Sequence, residues 1–213
     1  MQLYSSKMNR KSRYHEELAR SILQIYVPDI CSHLLLDDIP DLQDPSGAIG
    51  IEVVRAVSDG EADAFFYKNL NKTVEEISER GLNKFEKLGA HPIIYKGRLG
   101  GAEYPAHWSW EVTLAAIVNK IFILNKGHYH EFEKYGLFVF SKDADCETID
   151  WLKGEIKELQ KDVPKKFDFV FIYHEPYRLF VMDLLKDVLE KIDLPENDIS
   201  KVYQALSSFQ DIN

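Results

Sequence analysis

The run from Ile39 to Ala56, IPDLQDPSGAIGIEVVRA, constrains this chain more than any other stretch of it. Asp44-Pro45-Ser46-Gly47 places Asp, Pro and Gly where a type I turn takes them. Ala48 to Val57 follows with two isoleucines and three valines, a strongly β-forming composition. A turn feeding such a strand predicts a hairpin. With Pro45 and Ser46 as its central residues, Gln43 faces Ala48, Asp41 faces Gly50, and Ile39 faces Glu52. Residues directly opposite, and residues two apart on one strand, share a sheet face. Asp41, Gln43, Gly50, Glu52 and Val54 then lie together, with Asp41 diagonal to Glu52 at roughly 7–8 Å between backbones. Two carboxylates can close that span onto one hard divalent cation, so Asp41 and Glu52 are the predicted ligands of Mg or Mn. A slip of one residue would send them to opposite faces and leave two solvated acids.

At 213 residues, with 45% apolar content, the chain can bury a sizeable core and is read as one domain. A net charge of −9 argues against a surface that coats nucleic acid broadly, but it leaves room for a local basic grip beside a metal site. Lys7, Arg10, Lys11 and Arg13 crowd the N-terminus, and Lys11 and Arg13 are the candidate substrate contacts; the plain alternative is a solvated terminus. Two cysteines, Cys31 and Cys146, are too few for a disulfide framework or a thiolate zinc site, which fits a reducing cytoplasm. No apolar leader follows Met1, and the most apolar segment, Val112 to Leu124, is short and broken by Asn119 and Lys120. No membrane span is expected.

Periodicity predicts a helix over Arg13–Tyr26 on the stripe Tyr14, Leu18, Ile22 and Ile25, ended by Pro28. A short strand at His33–Leu36 precedes the hairpin, and a long helix from about Glu61 to Leu88 follows it. Residues 90–134 read as a helical insertion with an irregular glycine-rich entry and a buried helix from about His107 to Leu124. Tyr135–Ser141 and Phe167–Tyr173 are buried strands, with Leu179–Met182 pairing onto the second across a turn. Cys146–Lys161 is a surface helix, and 184–213 reads as a C-terminal helical extension. The economical architecture is α/β: a mixed sheet with flanking helices, an αβββαβ core and helical additions.

Pro40-Asp41 on one strand, Glu52-Val53-Val54 on the next, a helix before them and a helix and strand after them resemble the PD-(D/E)xK nuclease superfamily. The likeness covers roughly the first ninety residues, with Tyr135–Ser141 as a later core strand. IGIEVVRA is also similar to a group of uncharacterised bacterial proteins with that core. The resemblance implies a restriction-endonuclease-like fold and metal-dependent hydrolysis of DNA at Asp41 and Glu52. It also implies a further acid from the first helix, for which Glu17 flanks the apolar stripe while Glu16 lies opposite it. The family's lysine position is Val54 here. Arg55 points to the other strand face, and Lys68 and Lys72, at the right height on a returning helix, turn away from its stripe at about 100° per residue. Gln43 shares the carboxylate face and can orient a water without supplying charge. The alternative is a degenerate nuclease fold that binds a partner. A homodimer is an open alternative for the assembly.

Other constellations carry less. His128-x-His130 with Glu131 and Glu133 lacks the helical spacing of a zinc site. His107, Trp108 and Trp110 are expected to anchor a buried helix before they stack on bases. Gly97-x-x-Gly100-Gly101 lacks the ending of a phosphate loop, and no Ser or Cys nucleophile motif is present.

Overall fold

The structure, a computed structural model, describes residues 13–56, 68–69, 72–87, 91–103, 110–127, 129–141, 148–174 and 178–195. Helix α1 (Arg13–Tyr26) and a single turn, α2 (Pro28–Cys31), lead into β1 (Leu35–Leu36), β2 (Leu42–Gln43) and β3 (Ile49–Ala56). After them come a 3-10 turn (Val74–Glu76), α3 (Glu79–Lys87), the strands β4 (His91–Tyr95) and β5 (Arg98–Glu103), and α4 (Glu111–Leu124). The chain continues through β6 (Lys134–Ser141), α5 (Ile149–Leu159), β7 (Phe169–His174), β8 (Arg178–Asp183) and β9 (Val188–Asp193).

One seven-stranded sheet in the order β1-β2-β3-β6-β7-β8-β9 organises the molecule, and β4-β5 form a separate pair. β3, β6 and β7 are parallel; every other neighbouring pair is antiparallel. Parallel strands need covered crossovers, and α4 and α5 supply them. Alternation along β6 then sorts the core. Phe138 and Phe140 join Leu18, Ala19, Ile22 and Leu23 of α1. Leu137 and Val139 join Ile117, Ile121 and Leu124 of α4 and Leu152 and Ile156 of α5. The result is a mixed α/β sheet with helices on both faces, which is the predicted fold class in its coarser form.

Several predicted elements change. The Glu61–Leu88 helix is not continuous: Thr73 bridges Arg98, and a capping box with Glu76 opens the 3-10 turn before α3. Residues 61–67, 70–71 and 88 of that run lie outside the described residues. The entry to the predicted helical insertion at 90–134 is the β4-β5 hairpin, because Lys96 and Gly97 take positive φ of 50° and 75° and make a two-residue turn. Its helix, α4, is the crossover from β3 to β6. The predicted helical extension from 184 starts as a turn and a strand. Asp183 Oδ1 accepts the Lys186 amide at 2.9 Å, Asp187 sits at φ 59°, and the chain folds back so that Leu189 pairs with Met182 and Ile192 with Leu179.

The hairpin that opens the site is longer-looped than its turn suggests. Gly47 N donates to Asp44 O at 2.9 Å, as the turn requires, but Asp44 N also donates to Ile49 O at 2.9 Å. Pro45 to Ala48 therefore form the loop, and Leu42 pairs with Ile51 and Gln43 with Gly50. The register moves by two residues from the predicted one, which preserves which face each side chain takes. Gly50 permits it: a Cβ there would stand 2.7 Å from the Pro40 ring and from Phe132.

Candidate functional site

β2 is only two residues long, so beyond Ile51 the edge of β3 that faces away from β6 has no strand beside it among the described residues. The chain before Leu42 bends away, and Asp41 turns its side chain into the gap. Its Oδ2 accepts the Val53 amide at 2.7 Å, replacing the carbonyl a longer β2 would offer. Beyond that bond lies a pocket of about 430 Å³ between α1, the β3 edge and α4, lined by His15, Glu16, Asp41, Glu52, Val53, Val54, Arg55 and Lys120.

Glu52 and Val54 face α4, and from α4 Lys120 reaches across to Glu52, Nζ to Oε1 at 2.5 Å, with side chains only 17% and 12% exposed. Tyr129, from the loop before β6, donates its hydroxyl to Glu52, and burial and that carboxylate push its ionisation far above the ordinary range. Asp41 is pushed up to about 7 by burial, then by repulsion from Glu52 and Glu16, against the Val53 amide and Lys120. Glu16 is also raised, by burial first, and its Oε2 is buried without a hydrogen-bond partner among the described residues. His15 is pushed down to about 4 by burial and by Arg55 across from it, and its ring meets Phe140 edge-on at 5.2 Å. The pocket thus holds acids under mutual repulsion with one ammonium among them.

The structure brings Asp41 and Glu52 to one pocket and places the other described residues of the predicted site elsewhere. Glu17 is held by Arg20 in a two-point pair, 2.7 and 3.0 Å, so its carboxylate is committed to its own helix. One residue back along α1, about 100° round the helix, Glu16 lines the pocket instead, because this flank of α1 overhangs the open edge of β3. Gln43 donates to Pro40 O at 3.1 Å and does not line the pocket. Arg13 pairs loosely with Asp38 at 3.9 Å, and Lys11 lies outside the described residues. Of the lysines tested against the gap at Val54, Lys72 bonds Asn69 Oδ1 at 3.1 Å and Lys68 is exposed; neither lines the pocket.

Lys120 was the residue missed, and the sequence does hold a signal for it. Thr113, Ile117 and Leu124 are buried on α4, and Lys120 falls in the same i, i+4, i+7, i+11 stripe. A lysine in the buried stripe of an apolar helix requires an acid to meet it.

Among the described residues, neither alternative constellation assembles. Glu131 is taken by Lys165 at 2.6 Å, His130 is exposed, and His128 is outside the described residues. Trp110 is buried against Phe180, with ring centres 6.2 Å apart; His107 and Trp108 are outside the described residues. Among the described residues no group of three or more His, Cys, Asp or Glu is placed to hold a metal ion. No helix among them is long and apolar enough to cross a membrane. Comparison with protein-family models, with curated proteins and with solved structures finds no match.

Proposed function

We propose that the pocket is the centre of a metal-dependent nuclease that hydrolyses DNA phosphodiester bonds, with Asp41 and Glu52 holding Mg²⁺ or Mn²⁺. The observation that carries the reading is Lys120 on Glu52 beside Asp41: an ammonium from α4 stands where Val54 leaves the strand motif without one. With the α2 turn and the stretch from the 3-10 turn to β5 set aside as additions, the order α1-β1-β2-β3-α4-β6 supports it, since it runs in the αβββαβ sequence of a restriction-endonuclease-like core. The donor set fits a hard cation. Both ligands are carboxylates, Asp41 is destabilised as an anion by its neighbours, and a cation would relieve that repulsion.

The bound cation would act as a Lewis acid on a phosphodiester oxygen and acidify a water. This chain's own groups do the positioning. Asp41 spends Oδ2 on the Val53 amide, which leaves Oδ1 to face the pocket. Lys120 has three N–H donors and spends one on Glu52, so the others can hold a water or a phosphate oxygen. The Tyr129 hydroxyl also donates to Glu52 and helps to fix it. Neutral His15 and the walls of Val53 and Val54 narrow the pocket.

Calorimetry with Mn²⁺ and plasmid cleavage test this together. Wild type should bind the ion and nick the plasmid, and Asp41→Ala should abolish both. An Asp41→Ala protein with unchanged Mn²⁺ binding and unchanged cleavage would end the reading.

A further inference from the structure

Away from the pocket, the β4-β5 hairpin carries an unusual surface for a chain of net charge −9. Its turn end carries two cations, Lys96 and Arg98; the one acid of its strands, Glu103, stands opposite His91 at the far end, and Glu76 of the 3-10 turn feels the charge of Arg98. The three large apolar residues of β4 are open to solvent: Ile93 is 50%, Ile94 42% and Tyr95 65% exposed. Cross-strand pairing puts Tyr95 opposite Arg98 and Ile93 opposite Gly101, so one face presents Ile93, Tyr95 and Arg98 with bare backbone beside them. The other face is anchored by Leu99, which is fully buried.

The ribbon is braced as well as exposed. Leu99 N donates to Lys72 O at 2.9 Å and Val74 N to Gly97 O at 3.3 Å, so the 72–74 segment runs along β5 like a short third strand. At the tip, Lys96 holds its ammonium 5.2 Å above the Tyr95 ring. Edge-to-edge pairing with a second copy is disfavoured, because Pro92 removes an amide donor from β4.

We propose that this hairpin is a DNA-binding arm that lays its Ile93–Tyr95–Arg98 face into the major groove of a duplex, with Lys96 on a phosphate. A two-stranded ribbon fits that groove, which is about 12 Å wide. Exposed Ile and Tyr match thymine methyls, and the Lys96 ammonium at the tip matches a phosphate. The inference rests on the nuclease reading for its ligand, but binding to the hairpin needs neither metal nor cleavage.

The test is fluorescence anisotropy with a fluorescein-labelled duplex three helical turns long, in EDTA, on the full chain. Tyr95→Ala and Lys96→Asn keep the turn, since Asn tolerates positive φ. Each should weaken duplex binding by about tenfold, and Lys96→Asn should reduce the salt slope by about one. Mn²⁺ binding at the pocket should be unchanged in both. Unaltered duplex affinity in both variants overturns the proposal. So does tighter, hairpin-dependent binding of the single strand than of the duplex, or a dimer that falls to monomer with DNA affinity unchanged. If Asp41→Ala retains metal binding while the hairpin variants still lose DNA, the nuclease reading fails and the arm stands.

Discussion

Two lysine–glutamate pairs in this protein have nearly the same length and opposite surroundings. Lys120–Glu52 measures 2.5 Å with side chains 17% and 12% exposed; Lys165–Glu131 measures 2.6 Å with side chains 26% and 82% exposed. Around the first stand Asp41, Glu16 and Tyr129, in a pocket where burial lifts acid ionisation. Around the second are water, the Tyr135 hydroxyl and the open end of a loop. An exposed pair gains little because solvent screens it and two long side chains must be held still. A buried pair costs most when one partner is removed, because the other charge is stranded. The difference lies in what the neighbours do with a charge left alone.

The largest break comes from Lys120→Met. Under the proposed function, plasmid nicking should fall about a hundredfold or more, the size of effect seen when a preorganised charge is lost from an active site. Stability should fall by about 3 kcal/mol in urea denaturation at pH 8, since Glu52 is left among other acids. The Lys120→Met/Glu52→Gln double variant should recover much of the stability and none of the activity. A double-mutant cycle with no coupling would show that the short contact carries no energy.

Next in size is a transplant. Val54 lines the same pocket on the same strand face as Glu52. Val54→Lys in the Lys120→Met background should restore the nicking rate to about a tenth of wild type or more, a gain of about tenfold or about 1.4 kcal/mol of barrier. Rescue would show that the pocket needs an ammonium and not this particular helix. Failure, with the double variant folded by circular dichroism, would tie the function to the α4 position.

The third concerns pH. Folded Asp41 is pushed up to about 7 from an ordinary value of 3.8, so between those values the folded protein keeps a proton that the unfolded chain releases. Stability from this group is therefore greatest below about pH 4, falls through the window, and reaches its full penalty above about pH 7. Asp41→Asn should flatten that slope and raise Tm more at pH 8 than at pH 5. Mn²⁺ must compete with the same proton, so its affinity should drop as pH falls below 7, with a proton released on binding at pH 6.

The sequence made one half of the site legible and hid the other for a physical reason. Asp41 and Glu52 are linked by a local hairpin, and parity along a strand survives a register error of two residues, so their shared side could be worked out from the turn alone. Leu18 and Ile22 of the predicted α1 stripe are buried, and Tyr135–Ser141 lies within a buried strand as its apolar run suggests. Lys120 sits sixty-eight residues from Glu52, and their meeting depends on a crossover whose packing no local period encodes. The lysine was read as an interruption of an apolar run, when its place in the buried stripe was the clue. β9 was missed because Asp183 and the positive φ of Asp187 redirect the chain, a turn signal that an apolar Leu184-Leu185 pair obscures.

The smallest expected effect isolates the contrast between the pairs. Lys165 holds Glu131 below its usual range, and Glu131 raises Lys165 in turn. The favourable window of the pair lies between the two: it is lost as pH falls through the depressed Glu131 value and as pH rises through the elevated Lys165 value. Within that window, Glu131→Gln should leave the urea midpoint unchanged within error. At 1 M NaCl the Debye length is about 3 Å, so any residual difference there should vanish. The Lys120→Met deficit should persist in the same salt, because the low exposure of its partner keeps counter-ions from replacing the ammonium. Equal salt sensitivity in the two variants would mean that the pocket is as well solvated as the loop, and the distinction between the pairs would collapse.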